Sequence, residues 1–175
     1  MALSFGGTFE PRIVTEFPGA EPAAIDRNLQ LSVQTSPMPS LDTLIPRFKA
    51  AERTTRLETL LDYSRKLPPV PERLQDEQAR SEHQVPECQT PVFLWVEVED
   101  GKVHIHADVP PESPTVRGFI SLLARSLEGA APADVARVPD DLLDQLGLSE
   151  TLGMNRTQGL SAILHRIKRS VAAAA

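Results

Sequence analysis

Apolar residues begin to recur at regular spacing from Leu41. Leu41, Leu44, Ile45 and Phe48 fall at helical intervals, with Ser40 or Asp42 available as N-cap and Pro46 inside the run. That pattern predicts a short or kinked first helix. A stronger helix is predicted from about Glu52 to Lys66, with Leu57, Leu60, Leu61 and Ser64 on one face and Leu67 extending it. Pro68 and Pro69 end it. Residues 68–91 lose all period and carry five prolines. They read as a polar loop, and a loop this long inside a compact domain is more often functional than accidental.

The clearest local signal follows. Val92, Leu94, Val96 and Val98 alternate with Phe93, Trp95, Glu97 and Glu99, and after Asp100-Gly101 the residues Val103, Ile105 and Ala107 alternate with His104 and His106. Asp-Gly suits a two-residue hairpin turn because both central residues need positive φ. Two strands alone are marginal, so helices are expected to cover the apolar face. Ser113-Pro114 then opens a helix whose stripe is Val116, Phe119, Ile120, Leu123 and Leu127, ending near Gly129. Short helical segments are predicted around Asp134–Val138 and over Asp140–Leu146, the latter closed by Gly147. The last helix is predicted to start near Asn155, with Gln158 completing an approximate capping box. Its inner face is Leu160, Ile163, Leu164, Ile167 and Val171, and His165, Arg166, Lys168 and Arg169 crowd its C-terminal half. Helices, loop, hairpin and helices in that order give an α+β domain built on a small antiparallel, hairpin-based sheet.

Residues 1–40 differ from the rest. They hold five prolines, no lysine, and Phe5, Phe9 and Phe17 at spacings that form no stripe. They read as an irregular or disordered extension, with a docking tail as the alternative and a mis-set start at Met38 as another. The single domain is then expected over residues 41–175. Hydrophobic residues make up 41% of the 175, enough for a core of ordinary size. Eighteen Lys+Arg against 24 Asp+Glu leave a net charge of −6, which argues against a nucleic-acid binder. No apolar run is long enough to span a membrane, and the N-terminus lacks a secretory pattern, so a cytoplasmic protein with no membrane association is expected.

Candidate chemistry is sparse. One cysteine, Cys88, excludes an internal disulfide and any site needing several thiolates from this chain. Cys88 lies between Pro86 and Pro91, where the long loop meets the first strand. It is either a buried inert thiol or a reactive thiolate presented by a stiffened loop. A Cys–His hydrolase would need His83, His104, His106 or His165 beside it, and nothing in the sequence places one there. His104 and His106 share a strand face but lack a third metal ligand, so no metal site is expected. The basic residues of the last helix read as a solvated face.

Four stretches carry a family resemblance. "ECQTPVFLWV" resembles the cysteine loop and first strand of SufE-type sulfur-acceptor proteins. "PTVRGFISLL" resembles that family's helix start, and "LGMNRTQGLSAILHRIK" its C-terminal helix. "RLETLLDYSRKLPPVPERL" is similar to its second helix and Leu-Pro loop, so the likeness spans about residues 41–170. The sequence departs from the family pattern at Glu87, where glycine is usual, and a carboxylate there tends to raise a thiol pKa. Thr90, Phe93, Asn155 and the "DVPPES" segment also differ. The resemblance implies a SufE/IscU-like sandwich of sheet and helices, although an IscU-type scaffold itself would carry three cysteines. It implies that Cys88 accepts persulfide sulfur from a pyridoxal-phosphate cysteine desulfurase of the SufS kind, stimulates that enzyme, and passes sulfur to an iron–sulfur scaffold of the SufBCD kind. On this reading Gln89, Glu87 and Arg156 support the loop or contact the partner, and the pyridoxal phosphate belongs to the desulfurase, the chain itself holding no cofactor. A non-covalent interaction module and a Cys-dependent hydrolase are the alternatives.

Overall fold

A computed structural model describes residues 40–75 and 80–175. The expectations for residues 1–39, including the irregular extension and a start at Met38, lie outside the described residues. The elements run α1 (Leu41–Ala50), α2 (Arg53–Arg65), β1 (Phe93–Glu99), β2 (Lys102–Asp108), α3 (Pro114–Leu127), α4 (Pro132–Arg137), α5 (Leu142–Gln145), α6 (Leu148–Leu152) and α7 (Met154–Ala174). Short 3₁₀ turns occupy Glu72–Leu74 and Ser81–His83 in the long loop. None of the described helices is long and apolar enough to cross a membrane.

β1 and β2 form the predicted antiparallel hairpin, with Leu94 opposite Ala107, Val96 opposite Ile105 and Val98 opposite Val103. Asp100 and Gly101 hold φ of 51° and 71°, as the tight turn requires. The apolar face is covered by α3 against β2 and by α7 against β1. α3 does more than present one stripe. From Gly118 to Ala124 every residue is buried, because this helix lies between α2 and the hairpin. Phe119, Ile120, Leu122 and Leu123 are fully enclosed, each contributing about 1.5–3 kcal/mol relative to exposure. The predicted inner face of α7 is buried in full.

Close approach of α2 and α3 depends on Gly118, where an added Cβ would sit 2.1 Å from the Leu60 carbonyl oxygen. Arg117 fixes the same crossing. Its Nε donates to the Ser64 carbonyl at 2.9 Å and its Nη1 to the Val109 carbonyl at 2.8 Å, satisfying acceptors at the ends of α2 and β2.

Four local expectations differ from the structure. Leu57 and Leu61 are 37% and 41% exposed, so the buried face of α2 is Leu60 and Ser64. Trp95, placed by alternation on the polar face of β1, is 4% exposed because the long loop lies over it. The segment expected over Asp140–Leu146 is a single turn, followed by a further short helix, α6. The last helix begins at Met154 with Gly153 as its cap at φ 80°, so the expected box between Asn155 and Gln158 does not form.

Candidate functional site

The Cys88 loop is short and pinned at its base. The Val85 N–H donates to the Val92 carbonyl at 2.9 Å, and Gln84 bridges to Phe93 in antiparallel fashion. Val85 and Val92 are both fully buried. Only residues 86–91 arch between these anchors, with a proline at each end. The Cys88 N–H donates back to the Val85 carbonyl at 3.2 Å, closing the first turn. Two buried apolar side chains thus fix where the arch starts and stops, and two fixed proline φ angles narrow its paths.

The preceding loop is strapped to the outer face of the hairpin. Arg73 makes a bidentate pair with Glu97 at 2.5 and 2.6 Å. This fork holds the Glu97 carboxyl below its ordinary value, despite an opposing contribution from burial. Arg80 pairs with Asp108 and lies 4.2 Å from the centroid of the Phe93 ring. His83 stacks against Trp95 with ring centroids 5.3 Å apart, and Arg166 donates to the Glu82 carbonyl at 3.0 Å.

The Cys88 side chain points at α7. Its thiol donates to the Gly159 carbonyl with Sγ 3.5 Å away, and an added Cβ at Gly159 would lie 3.8 Å from that sulfur. Across the loop, Thr90 and Ser113 share a hydroxyl contact of 3.3 Å, which ties the arch to the start of α3. Cys88 therefore sits in an open groove of about 710 Å³ between the 87–90 arch, residues 112–116 and the first turns of α7. The thiol is half-buried. Burial, and then the neighbouring Glu87 carboxylate, push its pKa up to about 11, so the resting group is a protonated thiol at neutral pH.

The structure brings all four sequence-derived site residues to this groove. Cys88 lies inside it, while Glu87, Gln89 and Arg156 are exposed along it. Arg169 reaches toward Glu87 at 3.9 Å, so the C-terminal basic cluster is not simply a solvated face. Lys168 likewise donates to the Val138 carbonyl at 2.9 Å and to Asp140 at 2.6 Å, holding the Asp140 carboxyl below its ordinary value. None of the four histidines lines the groove. His83 is on Trp95, His104 contacts Glu128 at 2.6 Å, His106 is 3.4 Å from Glu97, and His165 is 3.9 Å from Asp140.

Sequence reasoning missed the wall formed by Ser113–Val116 and the floor formed by Gly159. The second had a signal. A glycine inside an otherwise regular helix costs about 1 kcal/mol relative to alanine and calls for a packing or functional reason.

Comparison with known proteins agrees with this geometry. Residues 42–171 match the family described as SufE, Fe-S metabolism associated domain. An uncharacterized SufE-like protein of Mycobacterium tuberculosis (strain ATCC 25618 / H37Rv) is 38% identical over 130 residues, covering 74% of this chain and 89% of that one. The sulfur acceptor protein CsdE of Escherichia coli (strain K12) is 34% identical over 110 residues, 62% of this chain and 71% of its own. The solution structure of a hypothetical protein from Thermus thermophilus superposes with a TM-score of 0.67 at 38% identity, covering 78% of this chain and 96% of that chain. A strapped loop holding one cysteine over the last helix, on this α+β frame, thus coincides with a family match over most of the chain, and the chain belongs to the SufE family.

Proposed function

We propose that this protein is a covalent sulfur carrier in iron–sulfur metabolism, accepting sulfur on Cys88 from a cysteine desulfurase. The observation that carries the reading is the position of Cys88, a single thiol on a pinned six-residue arch, half-shielded in an open groove. Family membership and the relative named as a sulfur acceptor support it.

The chemistry is thiol–disulfide exchange at a persulfide. Cys88 loses its proton, and the thiolate attacks the outer sulfur of the desulfurase's Cys–S–SH. One S–S bond forms and one breaks. The desulfurase cysteine leaves as a thiolate, and the product is Cys88–S–SH. No net oxidant or reductant is consumed. The raised pKa of the resting thiol keeps it quiet toward stray electrophiles. Docking must then favour the thiolate, by exposing it or by bringing a positive charge to the groove. Arg156 on the α7 side is available for that role, and Gln89 offers hydrogen-bonding capacity beside the sulfur. The pyridoxal phosphate that releases sulfur from cysteine belongs to the desulfurase, and the recipient of the Cys88 sulfur is an iron–sulfur assembly scaffold of the SufBCD kind. A hydrolase would need a base at the thiol, and the four histidines are all placed elsewhere.

The test is intact-mass spectrometry of the full chain after incubation with a cysteine desulfurase and cysteine, without reductant. One added sulfur atom, mapped to Cys88 and lost in Cys88→Ser, is the expected result. Full stimulation of the desulfurase by Cys88→Ser would instead favour the non-covalent interaction module.

A further inference from the structure

Sulfur acceptance by thiol–disulfide exchange needs a thiolate, and a carboxylate on the preceding residue opposes that ionisation. Glu87 is such a carboxylate, and its counter-charge comes from the far half of α7. Arg169 Nη2 lies 3.9 Å from Glu87 Oε1. Three residues earlier on the same helix, Arg166 Nη2 donates to the Glu82 carbonyl at 3.0 Å. Nearer the N-terminus, the Gly159 carbonyl accepts from the Cys88 thiol at 3.5 Å. Steps of seven and three residues keep Gly159, Arg166 and Arg169 on one side of a helix. Residues 82–88 therefore run along α7, and three contacts tie them to it.

Resting on the carrier reading above, we propose that Arg169 is a positioning residue for Cys88, holding the Glu87 carboxylate toward the C-terminal part of α7 and compensating its charge, so that Cys88 can give up its proton when sulfur arrives. Arg169 lies ten residues beyond Gly159 in one unbroken helix, about 15 Å along the axis. Its side chain leans back toward the N-terminus but covers only part of that length. The sulfur is held at Gly159, so the pair draws the carboxylate down the helix and away from Sγ. Glu87 is the one charged neighbour that raises the Cys88 pKa, after burial, so where its carboxylate is held bears directly on the thiol. Both partners are exposed, at 47% for Glu87 and 66% for Arg169, so the pair is a weak one and its effect on the thiol is graded rather than all-or-none.

The experiment follows iodoacetamide labelling of Cys88 across pH in the full chain. Arg169→Ala is expected to slow labelling about two- to fivefold at about pH 8, the size of an exposed pair, and to move the profile to higher pH. Arg169→Lys should keep the unsubstituted profile. In a Glu87→Gln background, Arg169→Ala should change nothing, because the carboxylate through which it acts is gone. The other charged groups on the groove, Glu112 before α3 and Arg156 in the first turn of α7, are the same in every variant, so the differences report on Glu87 and Arg169. An arginine that merely ties the loop down gives the opposite sign: its loss would expose the thiol and speed labelling, and that result, or an unchanged profile in Arg169→Ala, would overturn the inference. Equal slowing in the Glu87→Gln background would overturn it too, since Arg169 would then act on the sulfur directly. If labelling behaves as expected while a cysteine desulfurase with cysteine adds no sulfur to the unsubstituted chain, the carrier reading falls and the coupling of Arg169 to Cys88 through Glu87 stands.

Discussion

Gly118 in α3 and Gly159 in α7 are both glycines inside helices, each facing another segment of chain. At Gly118 an added Cβ would meet the Leu60 carbonyl oxygen at 2.1 Å, far inside contact distance, and the atom it meets is backbone. At Gly159 the nearest atom to an added Cβ is Cys88 Sγ at 3.8 Å, an ordinary van der Waals separation. The first glycine is required for two helices to approach at all. The second is not required by packing, and what it leaves open is space beside a thiol. One residue type therefore marks the core of the fold in one place and the Cys88 thiol in the other.

The largest effect is expected from Gly118→Ala. The methyl cannot be accommodated by rotating a side chain, so α2 and α3 must move apart and Arg117 must lose at least one of its two carbonyl acceptors. A loss of about 3 kcal/mol or more is expected, at the upper end of overpacking costs, read as a lowered urea midpoint. A midpoint within error of the unsubstituted chain would remove the contrast between the two glycines.

Much of the core side of this comparison was legible in the sequence. The α7 stripe of Leu160, Ile163, Leu164, Ile167 and Val171 is buried as its spacing predicts, because a two-sided environment writes a helical period. The Asp100-Gly101 turn was legible because few dipeptides accept positive φ twice in succession. Trp95 was not. Its burial comes from His83 and the loop around it, which no periodic signal connects to the strand. Leu57 and Leu61 match the helical period but face outward, because α3 packs beside Leu60 and Ser64 through Gly118 and Arg117, and that choice of face is tertiary. Around the site, family resemblance marked Cys88, and the chain's own departure marked Glu87. The wall at Ser113–Val116 comes from a segment beyond the whole hairpin, which no local pattern connects to Cys88.

A second, intermediate effect concerns the sulfur side. With its folded pKa at about 11, Cys88 binds its proton more tightly in the native state than in the unfolded chain, where a thiol titrates near 8.5. Between these values the native state holds more proton, so stability falls as pH rises through that window. The unsubstituted chain should lose urea midpoint from about pH 8 to about pH 10.5 relative to Cys88→Ser, and the two should run parallel below that window. Iodoacetamide labelling of Cys88 should be slow at about pH 8 and climb steeply toward about pH 11. Glu87→Gln should shift that profile to lower pH, but only partly, because burial is the larger cause and the carboxylate the smaller. A profile midpoint near the ordinary thiol value in the unsubstituted chain would mean the thiol is not shielded at rest.

The smallest effect on stability, and the sharpest test of the contrast, belongs to Gly159→Ala. The helix gains a better helix former, and the new methyl reaches only a 3.8 Å contact with Sγ. Stability should be unchanged or rise by up to about 1 kcal/mol, opposite in sign to the same substitution at Gly118. The cost should appear in chemistry. A methyl beside Sγ occupies part of the space through which an electrophile or a donor sulfur reaches it, so iodoacetamide labelling and persulfide loading should both slow severalfold at fixed pH. If Gly159→Ala instead destabilises as Gly118→Ala does, the α7 glycine is a packing residue and the open space beside Cys88 has no functional meaning. If it is stable and loads at the unsubstituted rate, sulfur approaches Cys88 from the arch or from the Ser113 wall, and the donor's path must be drawn from that side of the groove.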